Sequence, residues 1–187
     1  MNTSLFFTNG YISGNLNDVN IDYSSFLSMC KKVRDKIEHL NENFIRDNRR
    51  AIKNYTLKRN DNENVFSYFR DVAYTILNEL DASYKCITND LIVFMDDGCF
   101  LSPHRDRISF DGNKLDAVLI IYLSDPAEYN QSGKLVLVGR EDEKTIDPVE
   151  GNFFIFETKV HNLAHKIEHV TENFKRFTYV AQIQRIL

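Results

Sequence analysis

The chain has 187 residues, a formal net charge of −4, 43% apolar and 12% aromatic residues, and only 7 Gly and 3 Pro. This is globular composition, long enough to bury a sizeable core, and it excludes a disordered or low-complexity chain. The acidic balance gives no bulk attraction for a nucleic-acid backbone, and no apolar run approaches the ~18 residues of a membrane span.

The first half has helical periodicity. Phe26, Cys30, Val33, Ile37, Leu40 and Phe44 recur at steps of four and three, one stripe of an amphipathic helix that Ser24 or Ser25 would cap. Residues 48–64 are polar and Asn-rich and read as a connection. The basic cluster of Arg46, Arg49, Arg50, Lys53, Lys58 and Arg59 reads as a solvated helix end. Val65, Phe69, Val72, Ile76 and Leu80, with Phe66, Ala73 and Leu77 beside them, predict a second helix. Both stripes are core faces without chemistry.

Near residue 88 the period changes. Short apolar runs predict strands over 91–95, 117–123, 134–138, 152–156, 165–170 and 176–183. Turn residues punctuate them: Asp97-Gly98, Asp111-Gly112-Asn113, Ser132-Gly133, Glu150-Gly151 and Glu172-Asn173. The run Val118–Leu123 has no polar alternation, so both its faces should be buried in the middle of a covered sheet. The expected fold is α+β: a double-stranded β-helix (jelly roll) core with a helical N-terminal half packed on one sheet. Residues 1–88 would be mainly helical support and 89–187 the core of a single domain.

Cys30, Cys86 and Cys99 stand at unrelated spacings and make neither a zinc pattern nor a disulfide framework. They read as reduced thiols, and the expected location is cytoplasmic. The N-terminal MNTSLFFTNGYISG has no basic region and only a three-residue apolar run, unlike a signal peptide.

His104-Arg105-Asp106 is the most informative stretch. With 5 His and 16 Asp in 187 residues, His-x-Asp is expected about 0.4 times by chance, so context must carry the argument. In a strand, His104 and Asp106 share a face. A later imidazole would complete a facial iron(II) site of two His and one carboxylate. His165, which opens an apolar run with Ile167 and Val170, and His161, five residues after Phe156, compete for that place; His169 reads as structural or exposed. Arg176 and Thr178 share one face of the last strand, and Lys175 and Phe177 the other, which favours Arg176 as an inward cation. Arg105 and Arg107 read first as solvated loop residues and second as candidates to hold a substrate carboxylate.

From these residues the C-terminal half, about 90–183, resembles the 2-oxoglutarate and iron(II)-dependent oxygenases, in particular the prolyl-hydroxylase-like branch. The stretch from Phe94 to Asp106 is similar to the family's aromatic, glycine, then His-x-Asp segment. Ile121-Tyr122-Leu123-Ser124 resembles its Tyr-Leu-Asn strand, Ser132-Gly133-Lys134-Leu135 its Gly-Gly-x-Leu turn, and Pro148 to Phe156 its Pro-x-x-Gly-x-x-x-x-Phe strand. His165 to Val170 resembles the distal-histidine strand, and Arg176-Phe177-Thr178 the Arg-x-Ser/Thr cosubstrate motif. Two departures stand out. Phe94 occupies a place where the family often has Tyr, which implies a missing cosubstrate hydrogen bond, and Asn173-Phe174 replaces the glycine before the basic residue.

The resemblance implies a dioxygenase that hydroxylates or otherwise oxidises a C–H bond of a small molecule, amino acid or peptide side chain, releasing succinate and carbon dioxide. Its cofactors would be Fe(II), 2-oxoglutarate and O2, with ascorbate a candidate reductant. His104, Asp106 and His165 would be the metal-binding and catalytic residues. Arg176, Thr178, Tyr122 and Leu135 would line the cosubstrate site, a guanidinium fork being the best match to a dicarboxylate's far end. Asp106 stands where halogenases of the family carry a small residue, so oxidation is expected rather than halogenation. The competing readings are a non-oxidative metal-dependent enzyme and a binding protein on the same jelly roll.

Overall fold

The computed structural model describes residues 8–36, 41–47, 50–57, 59, 61–80, 86–106, 109–110, 113–138, 144–158, 161 and 163–185; for 41–47, 50–55, 86, 109–110 and 113–114 it describes the backbone only. Two helices, α1 (Tyr23–Arg34) and α2 (Glu63–Leu80), accompany antiparallel strands. One layer is formed by β1 (Tyr11–Asn15), β11 (Asn152–Glu157), β8 (Ala117–Tyr122), β13 (Arg176–Gln184) and β4 (Cys86–Met95), hydrogen-bonded in that order. β3 (Arg50–Thr56) then pairs with both β4 and β5 (Phe100–His104). It carries the bonding over to a second layer of β5, β12 (His165–Ile167), β9 (Leu135–Leu137) and β10 (Thr145–Ile146). β2 (Asn41–Asp47) pairs with β3, and β6 (Ser109–Phe110) pairs with β7 (Asn113–Lys114). Side chains of both layers face a common cavity, as in a jelly roll.

Central strand β8 shows how the two faces divide. All six residues are buried. Ala117, Leu119 and Ile121 pack with the helices, while Val118, Ile120 and Tyr122 belong to a separate cluster between the layers. This strand is flanked by β11 and β13, so its uninterrupted apolar run has a partner on each face and each edge.

The helices cover the outer face of the first layer. α2 buries Val65, Phe66, Phe69, Val72, Ala73, Ile76, Leu77 and Leu80. Phe69 stacks on Tyr179 of β13 at 5.6 Å and meets Phe26 of α1 edge-on at 6.1 Å. One buried carboxylate lies on this face, and it is fully partnered: Asp90 of β4 accepts from Tyr179 Oη at 2.9 Å and pairs with Arg70 at 3.3 Å and with Arg59.

The N-terminal half is mixed rather than mainly helical. The first stripe is helical only through Arg34, where Lys31, Lys32 and Arg34 sit favourably against the helix dipole. Phe44 lies in β2, and residues 50–56 of the stretch expected as a connection are β3. Ile37 and Leu40 fall outside the described residues. β2 pairs along β3, and β3 pairs with β4 through Tyr55 and Thr56 and with β5 through Arg50 and Ala51; that pairing overrides a helical period that Phe44 matched only by spacing. The cap of α1 is Asp22, two residues before Ser24 and three before Ser25. Its carboxylate accepts from both serine N–H groups and both hydroxyls, which holds its pKa down at about 2. Among the described residues no helix is long and apolar enough to cross a membrane.

Candidate metal and cosubstrate site

His104 and His165 are register partners on neighbouring strands β5 and β12. Between them lies an irregularity: His165 pairs with His104, but Ile167 pairs with Leu101, so β5 carries one more residue than β12 over this stretch. Such a bulge reverses which face a side chain takes. It lets Leu101 and His104, three apart, both face the cavity, with Pro103, which lacks a ladder donor, exposed beside them. Asp106 lies just past the end of β5, and its carboxylate returns between the rings.

Each imidazole is held the same way. His104 Nδ1 donates to the Ser102 carbonyl at 3.0 Å, and His165 Nδ1 donates to the Leu163 carbonyl at 3.2 Å. A carbonyl can only accept, so each ring carries a proton on Nδ1 and turns Nε2 toward the carboxylate as the atom available to a metal. Those Nε2 atoms lie 3.6 and 3.9 Å from the two Asp106 oxygens. The three donor atoms fall within 4.8 Å of one another, a set that could hold one metal ion. Burial pushes the His165 pKa down, against the pull of Asp106, and keeps the ring a neutral ligand. Phe156 of β11 backs His165 at 4.8 Å.

His161 is not in this cluster: its Nδ1 lies 2.8 Å from Glu157. His169 is exposed and stacks on Phe100 at 4.3 Å. Arg105 is exposed, while Arg107 falls outside the described residues. Of the basic cluster, Arg46 lies in β2 and Arg50 and Lys53 in β3 rather than at a helix end, while Arg49 and Lys58 fall outside the described residues.

The cavity holds about 170 Å³. Its metal end is lined by His104, Asp106, His165 and Phe156, and its closed end by Arg176, Met95, Leu135 and Thr178. Arg176 is 1% exposed. Its Nε donates to the Gly133 carbonyl at 3.0 Å, one Nη touches Met95 Sδ at 3.6 Å, and the other Nη has no partner. Gly133 has φ +67° and approaches so closely that a Cβ there would press on Arg176 Cδ at 3.3 Å, so the turn residue also shapes the arginine's seat. Tyr122 lies under the guanidinium, 5.4 Å from its ring centre, with a buried hydroxyl that also lacks a partner. Burial pushes that phenol up to about 12, against the nearby guanidinium. Thr178 is buried beside Arg176, and Lys175 on the other parity is exposed. Asn173, where a glycine stands in the family, takes φ 68° itself and makes the turn into β13.

Phe94 does not face the cavity. It stacks on Phe177 at 4.8 Å in the helix-side core, and its neighbours Val93 and Met95 line the cavity instead. The Tyr-to-Phe departure therefore removes no cosubstrate contact. Met95 and Phe156 lie inside the matched motifs but are not among the site residues read from them. Their rows follow from Arg176 only through the register of β13 with β4 and, by way of β8, with β11.

The family model of the 2OG-Fe(II) oxygenase superfamily matches residues 91–183. The chain belongs to that superfamily, and it is a 2-oxoglutarate-dependent oxygenase, an oxidoreductase whose family uses Fe(II), 2-oxoglutarate and O2. Curated protein sequences give no significant match. The fold is that of a prolyl-4-hydroxylase from Pseudomonas putida, with TM-score 0.72, 15% identity, and 98% of this chain and 97% of that one covered. A prolyl hydroxylase from Trichoplax adhaerens, solved with a peptide fragment of the hypoxia inducible factor oxygen degradation domain, gives TM-score 0.73 at 13% identity, covering 98% and 87%. The carbocyclase SnoK from nogalamycin biosynthesis gives 0.71 at 11%, covering 97% and 81%.

Proposed function

We propose that residues 1–187 act as one oxygenase domain in which His104, Asp106 and His165 hold Fe(II), and Arg176 holds the far carboxylate of 2-oxoglutarate. The observation that carries this reading is Arg176 itself: a fully buried cation with an unpartnered Nη, at the closed end of a cavity whose other end converges three metal-ligand side chains. A buried charge is stable only when paired, and a dicarboxylate reaching inward from a metal supplies the missing partner. The cavity volume suits a five-carbon dicarboxylate and leaves the primary substrate at the mouth.

When bound, Fe(II) with 2-oxoglutarate and O2 supplies oxidative decarboxylation to succinate and carbon dioxide, coupled to oxidation of a substrate C–H bond. The protein's share is placement. The Ser102 and Leu163 carbonyls fix the tautomers of His104 and His165, and Asp106 fills the third position with a carboxylate, which favours oxidation over halogenation. Tyr122 and Thr178 offer hydroxyls beside Arg176 for the same carboxylate. Leu135 and Phe156 close the walls and exclude water. The substrate is a small molecule, amino acid or peptide side chain. The buried free thiol of Cys30 suits a cytoplasmic setting.

The test is anaerobic titration of the protein with Fe(II) and 2-oxoglutarate, followed by admission of air. A weak visible charge-transfer band, then slow formation of succinate, is the expected result. Absence of both with metal demonstrably bound overturns the reading. In the same assay His161→Ala should behave as wild type and His165→Ala should lose the band.

A further inference from the structure

Beyond the cosubstrate, one buried polar group on the cavity side of the first layer still lacks a partner. Gln182 Oε1 is shielded from solvent and makes no hydrogen bond. Gln182 lies on β13 with the parity of Arg176, Thr178 and Val180, all of which line the cavity, and opposite to Phe177, Tyr179, Ala181 and Ile183, which pack under the helices. Along the strand this face runs from Arg176 through Thr178 and Val180, which line the cavity, to Gln182, the next position of the same parity.

The register sets Gln182 level with the metal cluster. Gln182 pairs with Val118, and Val118 pairs with Phe156, the residue that backs His165. Strands are spaced by ~4.8 Å, so Gln182 stands about 10 Å across the sheet from Phe156. On its other side Gln182 pairs with Asn89 of β4. Directly opposed residues share a face, so two carboxamides lie side by side just past the cavity-lining Val180. Next to Asn89 on the same face is Leu91, which is 39% exposed and is the exposed large apolar side chain among the described residues. A carboxamide with an unpartnered oxygen and an exposed leucine thus lie together on the row that continues past the cavity-lining Val93 and Val180.

We infer that Gln182 and Asn89 form a specificity subsite that reads an amide group of the primary substrate, with Leu91 as its apolar shelf. Two adjacent carboxamides present an acceptor and donors together. Their complement is a group that carries an N–H and a C=O together, as a peptide unit does and a free amino acid's ammonium and carboxylate do not. A buried acceptor left without a donor costs free energy, and a substrate N–H removes that cost on binding, which makes the subsite discriminating. This inference rests on the oxygenase reading above.

The experiment measures succinate formed by the Fe(II)-loaded protein with 2-oxoglutarate, alone and with each of the twenty N-acetyl amino-acid N-methylamides or the corresponding free amino acids. The expected result is that at least one capped derivative stimulates turnover about tenfold more than its free amino acid. That stimulation ratio should fall about tenfold in Gln182→Leu, a change of similar volume, and in Asn89→Ala. Melting temperatures establish that the variants are folded. If no capped derivative stimulates the wild type, if free amino acids do as well, or if the ratio survives in a folded Gln182→Leu protein, the subsite is wrong. If the wild type forms no succinate at all, the oxygenase reading fails instead.

Discussion

The two faces of the first β layer differ in how they treat buried polar groups. On the helix side, Asp90 is a buried charge with every need met, by Tyr179, Arg70 and Arg59. On the cavity side, the described residues leave three buried atoms without partners: Tyr122 Oη, an Nη of Arg176 and Gln182 Oε1. The same strand, β13, supplies Tyr179 to the first face and Arg176 and Gln182 to the second. A satisfied buried charge fastens elements together, while an unsatisfied one is a place held for something that arrives later. The faces can therefore be separated by experiment, one failing in chemistry and the other in folding.

The largest expected effect is on the cavity face. His165→Ala should abolish succinate formation and the metal-dependent band while leaving the unfolding midpoint of the metal-free protein nearly in place, read by circular dichroism. On the helix face, Phe69→Ala should cost about 4 kcal/mol of stability by denaturant titration, since it empties the junction of α1, α2 and β13. Where that variant still folds, its Michaelis constant for 2-oxoglutarate should match the wild type.

Arg176→Met joins the two measurements with opposite signs. Removing an unpaired buried charge should stabilise the ligand-free protein by about 1 kcal/mol, and the same change should weaken 2-oxoglutarate binding by about 2 kcal/mol or more, roughly thirtyfold. A loss of both stability and affinity would mean that Arg176 already has its partner in the protein. The smallest effect concerns the cap of α1. Asp22 has its pKa lowered to about 2, so its contribution is full above about pH 4 and is lost as pH falls through 2. Asp22→Ala should melt slightly below the wild type at pH 6, with the difference vanishing near pH 2.

How much of this was legible in the sequence follows from where the signal is local. The β-core strands were readable because their apolar runs end at turn residues that need left-handed backbone: Gly98, Gly133, Gly151 and Asn173 all take positive φ. The α2 face was readable because its eight apolar positions keep one period over eighteen residues. β3 was not, because its partners on β4 and β5 lie some forty to fifty residues downstream and local spacing cannot register a distant edge, and β2 is held by β3 itself. In the site, His104, Asp106 and Arg176 could be proposed from order and parity. The facing of Phe94 could not, since parity carries from Arg176 to β4 only once the register of these two distant strands is known. Nor could the unmet needs of Gln182, which depend on what its neighbours fail to provide.

The bulge in β5 has a bearing on descent. His104 faces inward because one residue more lies between it and Leu101 than between their partners on β12. Loss of a single codon between them would turn the imidazole outward while most of the sheet, the helices and Arg176 kept their places. A lineage could cross from catalyst to inert scaffold, or back, by one in-frame deletion or insertion, with every ligand residue still present in the gene.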